Sequence, residues 1–266
     1  MAGRAGSLKM CLVVSLRDLK SAKYGQVICY PRYDSGEVEK RITDMENLGV
    51  KSLCFTGGKS VANLPVLGKG CTGIVVLAIL EDDSKAALKI SRVDFEAGRI
   101  SHEARMLQIA NSVGVGPRIL GYTDRLLLME YIEGKPILEW IRDLCGGEAS
   151  LRLRNVLKDI LEQCWRLDSV GLDHGELSRA DKHIIVDEGD RAHIVDFETA
   201  SDKRRPSNVT SVSQYLFIRS PVAGVFGEKA GQINMETFIQ ALRRYKEKRS
   251  RENFEAILNV LNFMRV

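Results

Sequence analysis

The sequence has little of several features that define large classes of protein. Only six of its 266 residues are prolines, which excludes a collagen-like chain, and no apolar run approaches the about 18 residues of a membrane-spanning helix. The amino terminus has no long apolar segment behind its charges, so we expect no secretory signal and a cytoplasmic protein. The six cysteines include no Cys-x-x-Cys pair and the four histidines show no metal-ligand spacing, which favours free thiols over a zinc site or a disulfide framework.

Charge is unevenly distributed along the chain. Residues 1–60 carry 10 basic and 6 acidic side chains, residues 61–200 carry 17 and 23, and residues 201–266 carry 12 and 6. Both ends are therefore basic and the middle is acidic. Basic ends are typical of a surface that binds polyanions such as nucleic acid, and equally of a solvated surface rich in Arg and Lys.

Hydrophobic patterning divides the chain into three segments: a small module at 1–59, a strand-rich segment at 60–132 and a mainly helical segment at 133–266. In the first segment we expect a strand or short helix at 10–16, strands at 26–30 and 51–55, and a helix at 36–48. In the other two we expect strands at 74–80, 86–90 and 126–131, helices at 95–112, 137–144, 150–170 and 235–262, and a short β-insert at 184–186 and 193–195.

A glycine-rich motif opens the strand-rich segment. Glycines let backbone N–H groups approach phosphate oxygens without a Cβ in the way. Dinucleotide-binding folds place such a motif between a strand and a helix, whereas here a second strand follows, which fits a hairpin that covers phosphates. The residues that we expect at this phosphate-binding turn are Gly68, Lys69, Gly70, Cys71, Thr72, Gly73 and Val75.

A lysine lies in the middle of the next apolar strand, in the sequence Ala-Leu-Lys89-Ile. Burying an ammonium group is costly unless it meets an anion, and phosphates would serve. A carboxylate that pairs with Lys89 would orient it towards phosphates. Glu103, in the helix predicted at 95–112, is our candidate, and Glu96 competes for the role.

Two further carboxylates lie in the helical segment. Glu176 occurs in the sequence HGELSRAD, and Asp196 occurs in IVDFE, 20 residues later. A carboxylate at Glu176 could accept a proton from an attacking hydroxyl group. One at Asp196, at the end of a strand, could hold Mg²⁺ against nucleotide phosphates.

These motifs, in this order, resemble the protein-kinase superfamily over about residues 64–200, and most closely the small atypical RIO kinases and the kinase subunit of the KEOPS tRNA-modification complex. The resemblance implies an α+β, two-lobed kinase-like fold, here with an extra amino-terminal module and a reduced helical lobe, that binds ATP and Mg²⁺. It also implies that LLLMEYIEG is the hinge, where backbone groups of Glu130, Tyr131 and Ile132 would read adenine.

The sequence departs from the family pattern at several positions. Glu176 stands where the family has Asp, and Glu198 replaces the last Gly of Asp-Phe-Gly. The position of the usual metal-binding Asn is taken by Asp181, which we prefer because carboxylate oxygen suits Mg²⁺. Alignment on the strand at 184–186 would put His183 there instead.

We base our expectation for the acceptor of the phosphoryl group on the family resemblance and on the basic ends of the chain. In outline the chain resembles archaeal tRNA kinases of the RIO-like group, which implies transfer to a ribose 2′-hydroxyl. Two alternatives are a RIO-like protein serine/threonine kinase and an ATPase or nucleotide-gated binding module in tRNA or ribosome work. The cations that we expect to contact RNA are Arg179, Lys182, Lys203, Arg204 and Arg205, with the basic stretch 243–251 as a further contribution.

Overall fold

The protein is an α+β chain with antiparallel sheets. The computed structural model describes residues 11–95 and 98–263. Unit 1 comprises the described residues up to Ala104 together with 118–131, and unit 2 comprises 105–117 and the described residues from Ile132 onwards. Among the described residues, no helix is both long enough and apolar enough to cross a membrane.

Unit 1 is built on a seven-stranded antiparallel sheet. The order along the sheet is β1-β2-β6-β7-β9-β8, and β5 pairs with β6 beside this path. A separate hairpin is formed by β3 and β4. The strands are β1 Leu12–Ser15, β2 Val50–Phe55, β3 Lys59–Val61, β4 Leu64–Val66, β5 Gly68–Lys69, β6 Gly73–Leu80, β7 Lys85–Ser91, β8 Ile119–Tyr122 and β9 Leu126–Glu130. The predicted strands at 51–55, 74–80, 86–90 and 126–131 are confirmed, because each is a β-branched or leucine-rich run that the sheet buries.

Helices pack on this sheet and complete the core of unit 1. They are α1 Ala22–Ile28, α2 Ser35–Asn47 and the first part of α3 Arg99–Ser112, with a 3-10 turn at Asp18–Lys20. The helix predicted at 36–48 is confirmed: Asp34 caps it by accepting from the Glu37 N–H at 2.7 Å, and Val38, Ile42 and Met45 are buried. Arg41, on the same helix, is fully buried and donates to the carbonyl groups of Ile28 and Ser91.

The described part of the segment expected to form a separate module at 1–59, residues 11–59, belongs to the same unit as the strands that follow. β2 pairs with β6 from Cys54 opposite Leu77 to Val50 opposite Leu80, so the sheet is continuous across the expected boundary. The two helices of this region contribute to the same apolar core as the sheet. The sequence does not predict this shared unit, because pairing between strands about 25 residues apart leaves no pattern in neighbouring residues.

The strand expected at 26–30 is wrong, because those residues form the end of α1 and the turn after it. Val27 and Ile28 are β-branched, which favours a strand, but both are fully buried on the helix. Burial against the sheet overrides their intrinsic preference.

The expectation of six free thiols is also wrong, since Cys11 and Cys54 form a disulfide. Cys54 lies on β2 opposite Val13, and the pairing of β1 with β2 brings the two cysteines to a Cα–Cα distance of 5.6 Å. The other four, Cys29, Cys71, Cys145 and Cys164, are free.

Unit 2 is mainly helical and contains a three-stranded antiparallel sheet with the order β10-β11-β12. The strands are β10 Gly134–Pro136, β11 Ile184–Asp187 and β12 Ala192–Ile194. The helices are α4 Ile137–Asp143, α5 Ala149–Ser169, α6 Asn208–Gln214, α7 Pro221–Ala230, α8 Met235–Glu247 and α9 Arg251–Val260, with a 3-10 segment at Leu177–Lys182 and a π-helical turn at Tyr215–Arg219. The predicted β-insert and the helices at 137–144 and 150–170 are confirmed.

The single helix expected at 235–262 is two helices. The chain leaves the helical conformation after Glu247, and Ser250 caps α9 by accepting from the N–H of Asn253 at 3.3 Å. A serine followed by an acidic first turn is a helix start signal that the apolar periodicity on either side obscured.

One glycine of the predicted phosphate-binding turn is required by packing. A Cβ at Gly73 would lie 2.6 Å from the carbonyl oxygen of Ile90 on the paired strand, whereas a Cβ at Gly70 would find its nearest neighbour at 3.6 Å. We therefore expect Gly73→Ala to lower the free energy of unfolding by about 1–3 kcal/mol, because β6 and β7 must separate locally. Gly70→Ala should change it by less than about 0.5 kcal/mol. Chemical denaturation of both variants measures the difference, and equal stabilities would contradict this account.

Candidate functional site

The glycine-rich turn connects β5 to β6 in unit 1. Gly68 pairs with Val75, and the Gly70 N–H donates to the Gly73 carbonyl at 2.9 Å, so the turn folds back on itself. Thr72 is buried, while Lys69 and Cys71 are exposed. The arrangement is the strand–turn–strand hairpin that the sequence predicts, with an accessible tip.

Lys89 and Glu103 form a buried ion pair in the same unit. Lys89 lies directly opposite Val75 on the paired strands, so both side chains point to one face of the sheet. Its Nζ is 2.7 Å from Oε2 and 2.9 Å from Oε1 of Glu103, and the two residues are 5% and 3% exposed. The predicted pairing with Glu103 is thus present. The competing residue, Glu96, lies outside the described residues.

The segment predicted to read adenine begins at the end of β9. The Glu130 N–H donates to the carbonyl of Arg118 at 2.8 Å, and the Glu130 carboxylate accepts from the Arg118 N–H at 3.1 Å. This backbone donor is therefore engaged within unit 1. Tyr131 is the last residue of unit 1, and Ile132, which is half-buried, is the first residue of this part of unit 2.

Three potential metal ligands converge in unit 2: Glu176, His183 and Asp196, whose ligand atoms all lie within 4.8 Å of one another. His183 immediately precedes β11 and Asp196 follows β12, and antiparallel pairing of these strands places the two residues side by side. The His183 Nδ1 is 3.7 Å from Asp196 Oδ2, and its Nε2 is 3.7 Å from Glu176 Oε2. The cluster is open on one side, because His183 is buried while both carboxylates are about 40% exposed.

The cluster fits a divalent cation. The Nδ1 atom of His183 is buried, makes no hydrogen bond within the described residues and lies 3.7 Å from Asp196 Oδ2, so no hydrogen bond has to break for it to bind a cation. Two carboxylates suit Mg²⁺ and Mn²⁺, and an imidazole nitrogen shifts the preference of the set towards Mn²⁺.

Asp196 has an unusual backbone conformation. Its φ angle is +69°, in the left-handed region that residues other than glycine rarely adopt. Such conformations cost on the order of 1 kcal/mol or more and cluster at functional sites. This conformation, immediately after β12, is therefore an independent sign that the position is functional.

Asp181, which we preferred as the second metal ligand, is not a member of this cluster. It lies in the 3-10 segment near the phenol of Tyr215, whose pKa rises to about 12 through burial and the nearby Asp181 carboxylate. The alternative residue, His183, takes the place beside Asp196. The antiparallel hairpin favours His183, because this residue directly precedes β11 and pairing with β12 brings it beside Asp196.

His174 holds the loop before Glu176 in place, a role that sequence reasoning missed. The ring is completely buried, packs against Phe197 at a centroid distance of 5.0 Å, and donates from Nε2 to the Val195 carbonyl at 3.1 Å. Burial, together with the neighbouring His183, lowers the pKa of His174 to about 4, so the ring is neutral near pH 7. The sequence signal that could have indicated this role is the histidine two residues before Glu176 in HGEL.

A second, unpredicted network anchors this loop to three helices, α5, α6 and α8. The Asp168 carboxylate, near the end of α5, accepts from the backbone N–H and side-chain amide of Asn208 at 2.9 and 2.8 Å, and from the hydroxyl of Tyr245 at 3.0 Å. Asn208 in turn accepts from the His174 N–H at 2.8 Å and donates to the Leu172 carbonyl at 2.6 Å. Burial raises the pKa of Asp168, and these donors oppose that rise. Nothing in the local sequence indicates that residues so far apart meet.

The cations predicted to contact RNA differ in their surroundings. Arg179, Lys182 and Lys203 are exposed. Arg204 instead donates from Nε to the buried Asp173 carboxylate at 3.0 Å and from Nη2 to the Thr199 carbonyl at 2.6 Å. Arg205 donates to the carbonyl groups of Lys246 and Glu247 at the end of α8, at 2.6 and 3.4 Å. Arg204 and Arg205 therefore also bond within unit 2, while both remain exposed, so their contact with RNA stays a prediction.

The sequence is similar to part of one other protein. No protein-family model matches the chain. The chain is similar to the uncharacterized protein MJ1211 of Methanocaldococcus jannaschii, with 28% identity over 100 residues that cover 38% of this chain and 81% of that protein. The name of this relative states no activity, so only the geometry of the site bears on function.

Arg204 and Lys203 are neighbours with different roles, which gives a matched test. Arg204→Gln should lower the free energy of unfolding by about 1–3 kcal/mol, because it leaves the buried Asp173 carboxylate without its guanidinium partner. Lys203→Gln should change it by less than about 0.5 kcal/mol. Thermal denaturation measures both, and an Arg204→Gln variant as stable as the wild type would show that the Asp173 carboxylate does not need this guanidinium.

Tyr245 should contribute to stability through one hydrogen bond. Tyr245→Phe removes the hydroxyl donor from the buried Asp168 carboxylate, and we expect a loss of about 1.5–3 kcal/mol in the free energy of unfolding. The control is Tyr122→Phe, an exposed tyrosine of unit 1, with an expected change below about 0.5 kcal/mol. Urea denaturation compares the two, and similar small losses would show that Asp168 does not need this donor.

Proposed function

We propose that the protein is an ATP- and divalent-metal-dependent phosphotransferase that passes the γ-phosphoryl group to a hydroxyl group, with a ribose 2′-hydroxyl of tRNA as the acceptor. The observation that carries the proposal is the cluster of Glu176, His183 and Asp196, in which the last two residues lie at the ends of a β-hairpin. A buried lysine–carboxylate pair beside a glycine turn supports it from unit 1. We infer that units 1 and 2 correspond to the strand-rich and helical lobes of a kinase-like fold.

In unit 1, Lys89 supplies positive charge for the nucleotide phosphates. Glu103 is a positioning residue, since it fixes the ammonium through both carboxylate oxygens. Breaking a buried ion pair is costly, so Glu103 also keeps Lys89 from withdrawing to solvent. The exposed tip of the glycine turn offers backbone N–H groups to phosphate oxygens.

In unit 2, Asp196 and His183 would hold the metal, which supplies charge neutralisation for the phosphates when bound. Glu176 is partly exposed and can orient the attacking hydroxyl group and accept its proton. His174 keeps the loop that carries Glu176 against Phe197 and Val195. Catalysis in this scheme consists mainly of positioning and electrostatic stabilisation.

RNA is the favoured acceptor because both ends of the chain are basic. A RIO-like protein serine/threonine kinase is the alternative, and it predicts label in protein rather than in RNA. The other alternative is an ATPase or nucleotide-gated binding module. Glu176 favours it, because its extra methylene shifts the carboxylate from the position that Asp takes in the family that the sequence resembles.

The decisive change for this proposal is Asp196→Ala. With γ-labelled ATP, Mg²⁺ and total tRNA, we expect the wild type to label tRNA and the variant to lose at least about 10³-fold in rate, because the metal loses a charged ligand. The matched control is Glu188→Ala, an exposed carboxylate in the turn between β11 and β12, which should keep the wild-type rate.

A parallel reaction with a mixture of basic proteins separates the alternatives. Label in protein alone would replace the RNA acceptor with a protein acceptor. Undiminished transfer by Asp196→Ala would refute the metal role of Asp196 and with it the proposed mechanism.

A further inference from the structure

A groove on the surface of unit 2 has the chemistry of a polyanion-binding site. It is formed by Ser207 and α6, the π-helical turn and α8, and has a volume of about 520 Å³. Three of its lining residues are the cations Arg219, Arg243 and Lys246, and no carboxylate lines it. Within the described residues, these three side chains form no ion pair, in contrast to Arg204, which pairs with Asp173.

One face of α8 forms a wall of this groove. Ile239, Leu242, Arg243 and Lys246 are spaced three, four and seven residues apart, which places them on one stripe of the helix about 10 Å long. The stripe therefore presents apolar surface and positive charge together. Ile218 and Ile239 are both 38% exposed, which is unusual for isoleucine.

The groove adjoins the loop that carries the candidate catalytic residue. Ser207, at one end of the groove, donates from its backbone N–H to the Asp173 carboxylate at 3.1 Å, next to His174. The π-helical turn packs against the 3-10 segment that follows Glu176. A ligand in this groove therefore lies beside the reacting part of unit 2.

We propose that this groove binds the sugar-phosphate backbone of the RNA that the enzyme phosphorylates. Arg and Lys with neighbouring hydroxyl groups are typical phosphate contacts, and exposed apolar side chains between them suit ribose and base surfaces. An acidic peptide would satisfy the cations but would leave the exposed isoleucines without a matching surface. The identity of the ligand as RNA rests on the proposed function, whereas the location of the groove does not.

The test is binding of a purified tRNA transcript to the full chain without ATP, measured by fluorescence anisotropy at several salt concentrations. The groove variant carries Arg219→Gln, Arg243→Gln and Lys246→Gln together. We expect its affinity to fall about 10- to 100-fold, and the slope of log affinity against log salt to fall by about 2 to 3, because three phosphate contacts are lost.

Two further variants serve as controls. Lys135→Gln, Arg142→Gln and Lys229→Gln together remove the same charge from exposed positions outside the groove and should retain affinity within about twofold. Arg219→Lys, Arg243→Lys and Lys246→Arg keep the charge, and should keep the salt slope even if the three glutamines disturb packing.

Wild-type affinity and salt slope in the groove variant would overturn the inference. So would an equal loss in the exposed-charge control, or displacement of tRNA by poly-glutamate at a comparable charge concentration. Failure of the proposed function is distinct, because it appears as undiminished phosphoryl transfer by Asp196→Ala whatever the groove variant does.

Discussion

The candidate site depends on the buried carboxylate of Asp168. This group accepts hydrogen bonds from Asn208 and Tyr245, and Asn208 in turn binds the backbone on either side of Asp173. Burying a carboxylate is costly without such donors, so the network is stable only when the helices and the loop are all in place. The position of Glu176 follows from this constraint, because its loop is fixed at His174.

Unit 1 has a comparable constraint in the pairing of Lys89 with Glu103. The two charges are almost completely removed from water, and their mutual contact offsets part of the desolvation cost. Such a pair adds little stability over an apolar pair of the same size. Lys89 lies opposite Val75, next to the glycine turn, and this position is why the pair supports the phosphate site proposed for unit 1.

Much of the site could be predicted from the sequence because its signals are local. The glycine turn followed by a strand, the lysine within an apolar strand and the β-insert before Asp196 each occupy a few consecutive residues. The preference for Asp181 over His183 weighed ligand chemistry alone, whereas strand pairing brings residues 183 and 196 together. Arg204 and Arg205 looked like a basic patch, since sequence gives charge but not the partners that bind it.

The fold was least predictable where distant segments meet. The first 60 residues contain ordinary helix and strand signals, yet nothing in them shows that β2 pairs with β6 or that Arg41 reaches the carbonyl of Ser91. Asp168 is likewise 40 residues before Asn208 and 77 residues before Tyr245 in the sequence. Such contacts are decided by burial in the whole unit rather than by local preference.

The central claim is that His183 and the phosphates of ATP share one metal ion. Pulsed electron paramagnetic resonance of the full chain with Mn²⁺ and ATP tests this directly, because nitrogen and phosphorus ligands each leave their own modulation on the Mn²⁺ signal. We predict coupling to phosphorus and to one imidazole nitrogen, with the nitrogen coupling lost in His183→Asn and the phosphorus coupling retained. Phosphorus coupling without nitrogen in the wild type, or nitrogen coupling that survives in His183→Asn, would contradict the account.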